Sequence, residues 1–153
     1  MMPHRQPRIR VAGMIWNDDK LLLIRQGRLE SPRWMLPGGG VEAGEGMTDA
    51  LGRELREEIG LTACVVRDPL AMIESIAPPT SPSGRHLVHV VFDIECHDAN
   101  IAKLKCIDPD IHELRMCSRD ELLGLPIHPP ISSWLSTWKP GNQFSYFGPL
   151  WAP

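Results

Sequence analysis

Gly39 to Leu61 reads GGVEAGEGMTDALGRELREEIGL, and its spacing organises the whole chain. An α-helix turns about 100° per residue, so residues three and four apart share a face. If the segment after Gly46 is helical, Glu54, Glu57 and Glu58 fall within one arc, while Leu51, Leu55 and Ile59 fall on the adjoining one. Arg56 and Asp49 point away from both. Thr48 or Gly46 can open such a helix, and Gly60 is placed to end it. The acidic arc carries a cost, because like charges four apart destabilise a helix by a few tenths of a kcal/mol. Arg53 can offset Glu57 at i+4 but cannot serve all three glutamates. Partial burial without a cation would raise one or more of their pKa values. A hard divalent ion, which prefers oxygen ligands and keeps room for waters and phosphates, removes the conflict. The stretch therefore predicts a metal site suited to phosphate chemistry.

An isolated REXXEE string is weak, since glutamate-rich helix faces are usually just solvated. The upstream residues change the weight. Gly39, Glu45, Arg53, Glu54, Leu55, Glu57, Glu58, Gly60 and Leu61 fit G-x5-E-x7-R-E-U-x-E-E-x-G-U, with U a bulky aliphatic. At average residue usage such a match arises by chance on the order of once in 10⁹ start positions. This pattern resembles the signature of the Nudix hydrolases, without a departure. The likeness extends to Leu36-Pro37-Gly38-Gly39-Gly40 before the box and to Leu21–Arg25 as its preceding strand. Glu113–Leu123 resembles a later strand-and-helix segment, although Met116 stands where an aromatic is common. It covers residues 8–125, strongly at the box.

The resemblance implies hydrolysis of a nucleoside diphosphate linked to another moiety X, with Mg²⁺ or Mn²⁺ as cofactor. It makes Glu54, Glu57 and Glu58 metal ligands, one of them doubling as general base, with Arg53 holding a glutamate in place. The Gly39 or Gly40 backbone would help form the metal site, Glu45 would shape its substrate side, and Glu113 is a further metal-ligand candidate. The chemistry of the residues agrees. Metals neutralise phosphate oxygens and activate water, and a carboxylate can then take the proton. The second class to consider is a non-catalytic Nudix domain that binds a nucleotide as a sensor or docking module. Such domains usually lose box carboxylates, and none is lost here. An isomerase of allylic diphosphates fits poorly with a short chain and an unbroken box.

At 153 residues the chain reads as one domain, with a core over 8–125 and an extension rich in aromatics and proline over 126–153. It is long enough to build a core without staples. Sixteen basic against nineteen acidic residues give a net charge of −3, which speaks against a duplex nucleic-acid surface. Cys64, Cys96, Cys106 and Cys117 form no CxxC pair and read as reduced thiols. The start MMPHRQPRIR has no apolar core of a signal peptide, and no segment is long enough to span a membrane. The expected location is cytoplasmic. Family members often pair as homodimers, but the sequence shows no self-complementary surface.

Strands are expected at Ile9–Trp16, Lys20–Arg25 (after an Asn17-Asp18-Asp19 turn) and Trp34–Leu36. The glycine turn and the box helix, Met47–Ile59, follow. Further strands are expected at Ala63–Ile76 (broken near Pro69), His86–Glu95 and Ile107–Met116. Ser118 with Glu121 predicts a capping box for a helix to Leu123. Pro129-Pro130 predicts a last helix, Ile131–Trp138. Strands and helices mixed in this order imply an α/β fold with a sheet covered on both faces. The resemblance sharpens this to an α/β/α sandwich with a mixed sheet.

Three regions are candidates for substrate recognition. The loop Ala77–Arg85, APPTSPSGR, should lie on the surface. Arg25, Arg28 and Arg33 precede the glycine turn, where an arginine can clamp a phosphate. The tail holds Trp134, Trp138, Phe144, Tyr146, Phe147 and Trp151, which can stack on a base, form a contact between copies, or cover the core. Trp34 reads as packing under the glycine turn. The histidines, His86, His89 and His112 among them, show no metal-ligand spacing. An ADP-ribose-like or nucleoside-sugar substrate and a modified nucleoside triphosphate both remain open. The partner expected in either case is a small nucleotide derivative.

Overall fold

The computed structural model describes residues 3–27 and 33–152. Among them, β1 (Arg8–Met14), β2 (Trp16–Asn17), β3 (Lys20–Gln26), β4 (Arg33–Met35) and β5 (Gly38–Gly40) precede helix α1 (Met47–Ile59). Then come β6 (Cys64–Ile76), β7 (His86–Cys96), α2 (Asp98–Ile101), β8 (Ile111–Ser118), α3 (Arg119–Gly124), α4 (Ser132–Thr137) and β9 (Ser145–Leu150). One sheet runs β5-β1-β7-β6-β9. In the other, β3 lies between β8 on one side and β2 with β4 on the other. The first sheet is mixed: β1/β7 and β6/β9 are parallel, and β1/β5 and β6/β7 are antiparallel.

Strands covered on both faces need apolar residues at successive positions, and Leu21-Leu22-Leu23-Ile24 supplies them. Leu21 and Leu23 join a core with Ala12, Met14, Val91, Leu122, Leu135 and Trp138, against α3 and α4. Leu22 and Ile24 join the opposite core with Val11, Val90, Phe92 and the α1 residues Leu51, Leu55 and Ile59. The alternation along β1, β3 and β7 thus makes the sandwich: α1 on one side, α3 and α4 on the other.

Most expected elements stand where the sequence put them. Asp18 and Asp19 both take positive φ, +49° and +58°, and make the two-residue turn between Asn17 and Lys20. Gly60 ends α1 in the left-handed conformation, and its N–H reaches the carbonyls of Leu55 and Arg56. The Ser118 side chain accepts from the Glu121 N–H as a cap. Pro69 shifts the register of β6 rather than dividing it.

Four differences have local causes. The glycine turn is a strand: Gly38, Gly39 and Gly40 pair with Ala12, Val11 and Arg10. Strand β8 begins at Ile111, not Ile107, because the N–H groups of Ile107 and Asp108 are drawn to the carbonyl of Glu58. Asp98–Ile101 forms a short helix, which has too few residues to show a periodicity. The tail is not only a cover, since Ser145–Leu150 adds a fifth strand parallel to β6. Among the described residues no helix is long and apolar enough to cross a membrane.

Candidate functional site

Helix α1 projects its glutamates over the edge strand β5, but they do not share one environment. Glu58 is buried with Leu55 and Ile59, Glu54 is half-buried, and Glu57 is exposed. The single acidic stripe expected from spacing is therefore split across the boundary of the core. Glu58 Oε1 accepts from the Gly38 N–H at 3.0 Å, while its Oε2 is buried without a hydrogen-bond partner. Burial pushes the Glu58 carboxyl up to about 8; the neighbouring Arg10 guanidinium opposes the shift and Glu54 adds to it.

Arg53 organises the remaining carboxylates. Its Nε and Nη2 donate to the two oxygens of Glu45 at 2.8 and 3.0 Å. Nη1 donates to Glu54 at 2.9 Å and to Glu57 at 3.3 Å, and Nη2 also reaches the Gly40 carbonyl at 3.0 Å. This fork suits guanidinium and no other side chain. Its bonds pull the Glu45 carboxyl down to about 2 and raise the Arg53 pKa further. Arg53 thus serves Glu54 and Glu57 but not Glu58, whose counterparts are the Gly38 N–H and Arg10. Arg10 donates to the carbonyls of Leu36 and Gly38 at 3.2 and 3.3 Å. Burial lowers its pKa, against the pull of Glu58 and Glu54.

The glycines before the helix have a steric reason. A Cβ on Gly39 would lie 2.3 Å from Cδ of Glu54, so the carboxylate occupies the space a side chain would take. Among the described residues no three His, Cys, Asp or Glu side chains converge at metal-ligating spacing, because Glu54 and Glu57 are turned onto Arg53. The donor set nevertheless fits a hard divalent cation. It is all oxygen, one buried oxygen of Glu58 has no partner, and the Gly39 cradle holds a second carboxylate open to its neighbour.

Arg10 also lines a cleft of ≈ 930 Å³, whose other walls include Arg33 and Met35 from β4 and the loop 77–85. Of the sequence candidates, Arg33 lines it, as do Pro78, Thr80, Ser81, Pro82, Ser83 and Arg85 of the loop, and Trp151 of the tail. Arg25 and Glu113 do not: they pair with each other at 3.2 Å across β3 and β8. Glu45 faces Arg53 and not the cleft. Arg28 lies outside the described residues. Trp34 is buried under an Arg115 guanidinium 5.3 Å from its ring centre, as expected of packing. Trp138 is buried in the core and Trp134 packs on Phe147 at 5.8 Å, so these aromatics of the tail cover the sheet, whereas Phe144 and Tyr146 are exposed. His89 and His128 also line the cleft; residue spacing gave no signal for them, because β7 and the segment before α4 meet only in the fold.

The NUDIX domain family model matches residues 6–136. The chain belongs to the NUDIX family. It is 36% identical over 98 residues to the nucleoside triphosphatase NudI of Escherichia coli O139:H28 (strain E24377A / ETEC), covering 59% of this chain and 68% of that protein. It is 38% identical over 92 residues to an ADP-ribose pyrophosphatase of Methanocaldococcus jannaschii, covering 58% of this chain and 51% of the relative. An RNA pyrophosphohydrolase of Ruthia magnifica matches at 46% over 51 residues, 33% of this chain and 28% of its own length. The chain thus spans about half or less of two of these relatives. Among solved structures, a MutT NUDIX hydrolase from Burkholderia pseudomallei superposes with a TM-score of 0.69 at 27% identity, covering 88% of this chain and 100% of that one.

Proposed function

We propose that this chain is a divalent-metal-dependent pyrophosphohydrolase that cleaves the diphosphate of a small nucleotide derivative. The observation that carries the reading is Glu54 in the Gly39 cradle together with the buried, half-satisfied Glu58, whose charged neighbour Arg10 lines a large cleft. Glu54, Glu57 and Glu58 would hold Mg²⁺ or Mn²⁺. When bound, the metal neutralises phosphate oxygens and lowers the pKa of water. The chain's own part is to hold and to receive. Arg53 fixes Glu54, Glu57 and the Gly40 carbonyl as one unit, so the carboxylates need little reorganisation on binding. One of the three glutamates takes the proton of the attacking water. Arg33 and Arg85 stand at the cleft to meet the substrate's negative charge. The substrate classes supported are an ADP-ribose-like or sugar nucleotide and a nucleoside triphosphate, in line with the names of the ADP-ribose pyrophosphatase and nucleoside triphosphatase relatives.

The test is product formation with Mg²⁺ across ADP-ribose, sugar nucleotides, dinucleoside polyphosphates, NADH, and normal and oxidised nucleoside triphosphates, with Glu57→Gln alongside. Turnover of one class, lost in the variant, is the expected result. Nucleotide binding without turnover of any compound would overturn it in favour of a binding module.

A further inference from the structure

The cleft has a polar floor made by His89 and His128. His89 and His128 are 2% and 9% exposed, and all four of their ring nitrogens lack a hydrogen-bond partner among the described residues. Their rings stand 6.1 Å apart, edge to face, and Trp151 lies 6.2 Å from His128, again edge to face. Buried polar atoms in native proteins are nearly always paired, so four orphans at the base of one cavity call for a ligand. Burial, helped by nearby arginines, holds both imidazoles neutral, His89 down to about 3 and His128 down to about 4. A neutral imidazole offers one donor and one acceptor. The floor therefore matches a ligand edge that carries both.

Its place in the sheet fixes what that ligand is attached to. His89 is in register with Arg10, and Arg10 with Gly40. One row across β7, β1 and β5 thus runs from the floor of the cleft to Gly40 on the edge strand, next to Gly39, which cradles Glu54 on the strand's other face. Two strand spacings are about 10 Å, comparable to the span from a nucleotide's 5′-phosphate to the far edge of its base. The neighbouring walls are Met35, Leu87 and Trp151, which suit a flat heterocycle better than a polyol. We propose that His89 and His128 read the hydrogen-bonding edge of the substrate's nucleobase, with the diphosphate directed along Arg10 to the Gly38–Gly40 strand. This assignment rests on the reading of the site as a nucleotide pyrophosphohydrolase.

The experiment is equilibrium titration of the full chain, without metal, with AMP, GMP, CMP, UMP and base-free ribose 5-phosphate. At least one nucleotide should bind about 10-fold or more tightly than ribose 5-phosphate. His89→Phe and His128→Phe should each erase most of that preference and leave ribose 5-phosphate binding unchanged. His→Gln, which keeps a donor and an acceptor, should restore part of it. Because the nitrogens have no partners to lose among the described residues, the Phe variants should melt at or above the wild type, unlike variants of a structural histidine. As a measurement independent of the variants, the ring ¹⁵N signals of His89 and His128 in the wild type should shift on adding the preferred nucleotide. Equal binding of nucleotides and ribose 5-phosphate, folded Phe variants with an intact base preference, or unresponsive histidine signals would each overturn the assignment. Metal-dependent hydrolysis with base preference unchanged in the variants would remove this assignment alone. A base preference lost in the variants, with no hydrolysis of any compound, would remove the hydrolase reading instead.

Discussion

Gly39 and Glu54 fill one another's space: the Cβ that Gly39 lacks would stand 2.3 Å from the Glu54 carboxyl carbon and 2.5 Å from each of its oxygens. The closest permissible approach of ordinary side-chain atoms is well beyond this. Gly39→Ala must therefore drive the carboxylate out of its cradle and away from the Arg53 Nη1, 2.9 Å distant. The strand itself tolerates alanine, and Glu54 is at the flexible end of its side chain, so the fold should survive. Displacing a ligand by about 1 Å can cost on the order of 10²-fold in rate. A loss of that order in kcat/KM, with the melting temperature little changed, is the expected outcome. Wild-type turnover in Gly39→Ala would show that Glu54 has no part in the reaction.

The box region was legible because its signals are local. The Leu51/Leu55/Ile59 repeat, Gly60 at the helix end and the Asp18-Asp19 turn each depend on neighbours within a few residues, and each formed as expected. What the sequence hid is non-local. Whether Glu58 is buried while Glu57 is exposed depends on where the helix rim meets β5, which spacing on a wheel does not contain. Strand β9 arises from pairing with Ala71–Ser75 more than seventy residues earlier, and its Gly148-Pro149 reads locally as a breaker. His89 and His128 are 39 positions apart and meet only when β7 and the segment before α4 pack together. Arg25 and Glu113 illustrate the reverse: each was a plausible site residue by position, and antiparallel pairing of β3 with β8 brings them to each other.

Arg53→Lys should be far from conservative. The guanidinium makes five hydrogen bonds at once, two to Glu45, one each to Glu54 and Glu57, and one to the Gly40 carbonyl. An ammonium has three donors in a different geometry and cannot bridge both edges of the cluster. The expected effect is a fall in kcat of on the order of 10²-fold with a smaller change in KM, since the lost property is positioning. Glu42→Ala provides the contrast. Glu42 is 72% exposed with its oxygen 4.0 Å from Arg53, and such a pair contributes little. Steady-state kinetics on both variants decides the point; near-wild-type kcat in Arg53→Lys would mean that Arg53 acts by charge alone.

Acid should destabilise this fold from a higher pH than its carboxylates alone would dictate. His89 and His128 titrate at about 3 and about 4 when folded, against about 6.5 in an unfolded chain. Between these limits the unfolded state binds protons that the folded state does not, so stability falls as pH drops from about 6.5 toward 4 and below. Above 6.5 both states are neutral at these positions and the contribution is flat. The His89→Phe/His128→Phe double variant should lose much of this slope. Denaturant midpoints measured between pH 4 and 7.5 supply the comparison, and parallel curves for the two proteins would contradict the burial of these imidazoles as neutral groups.

Glu58→Gln should separate the stability of the fold from its affinity for metal. The Glu58 carboxyl, pushed up to about 8 by burial, is held chiefly in its neutral form near pH 7 when no cation is present. Glutamine is neutral and nearly isosteric, and its carbonyl can keep the Gly38 N–H bond now made by Oε1 at 3.0 Å. The metal-free variant should therefore melt close to the wild type. The wild type should gain stability from a divalent ion because the folded state alone gathers the carboxylates, about 2.7 kcal/mol at a hundredfold excess over Kd. For a domain of this size that corresponds to a rise in Tm of roughly 5–10 °C. Glu58→Gln removes the carboxyl that a bound cation would hold ionised, and most of that rise should vanish with it. Melting curves at zero and 10-fold steps of Mg²⁺ and Mn²⁺ make the comparison. A metal-induced shift as large in Glu58→Gln as in the wild type would place the ion elsewhere and leave Glu58 as a core residue only.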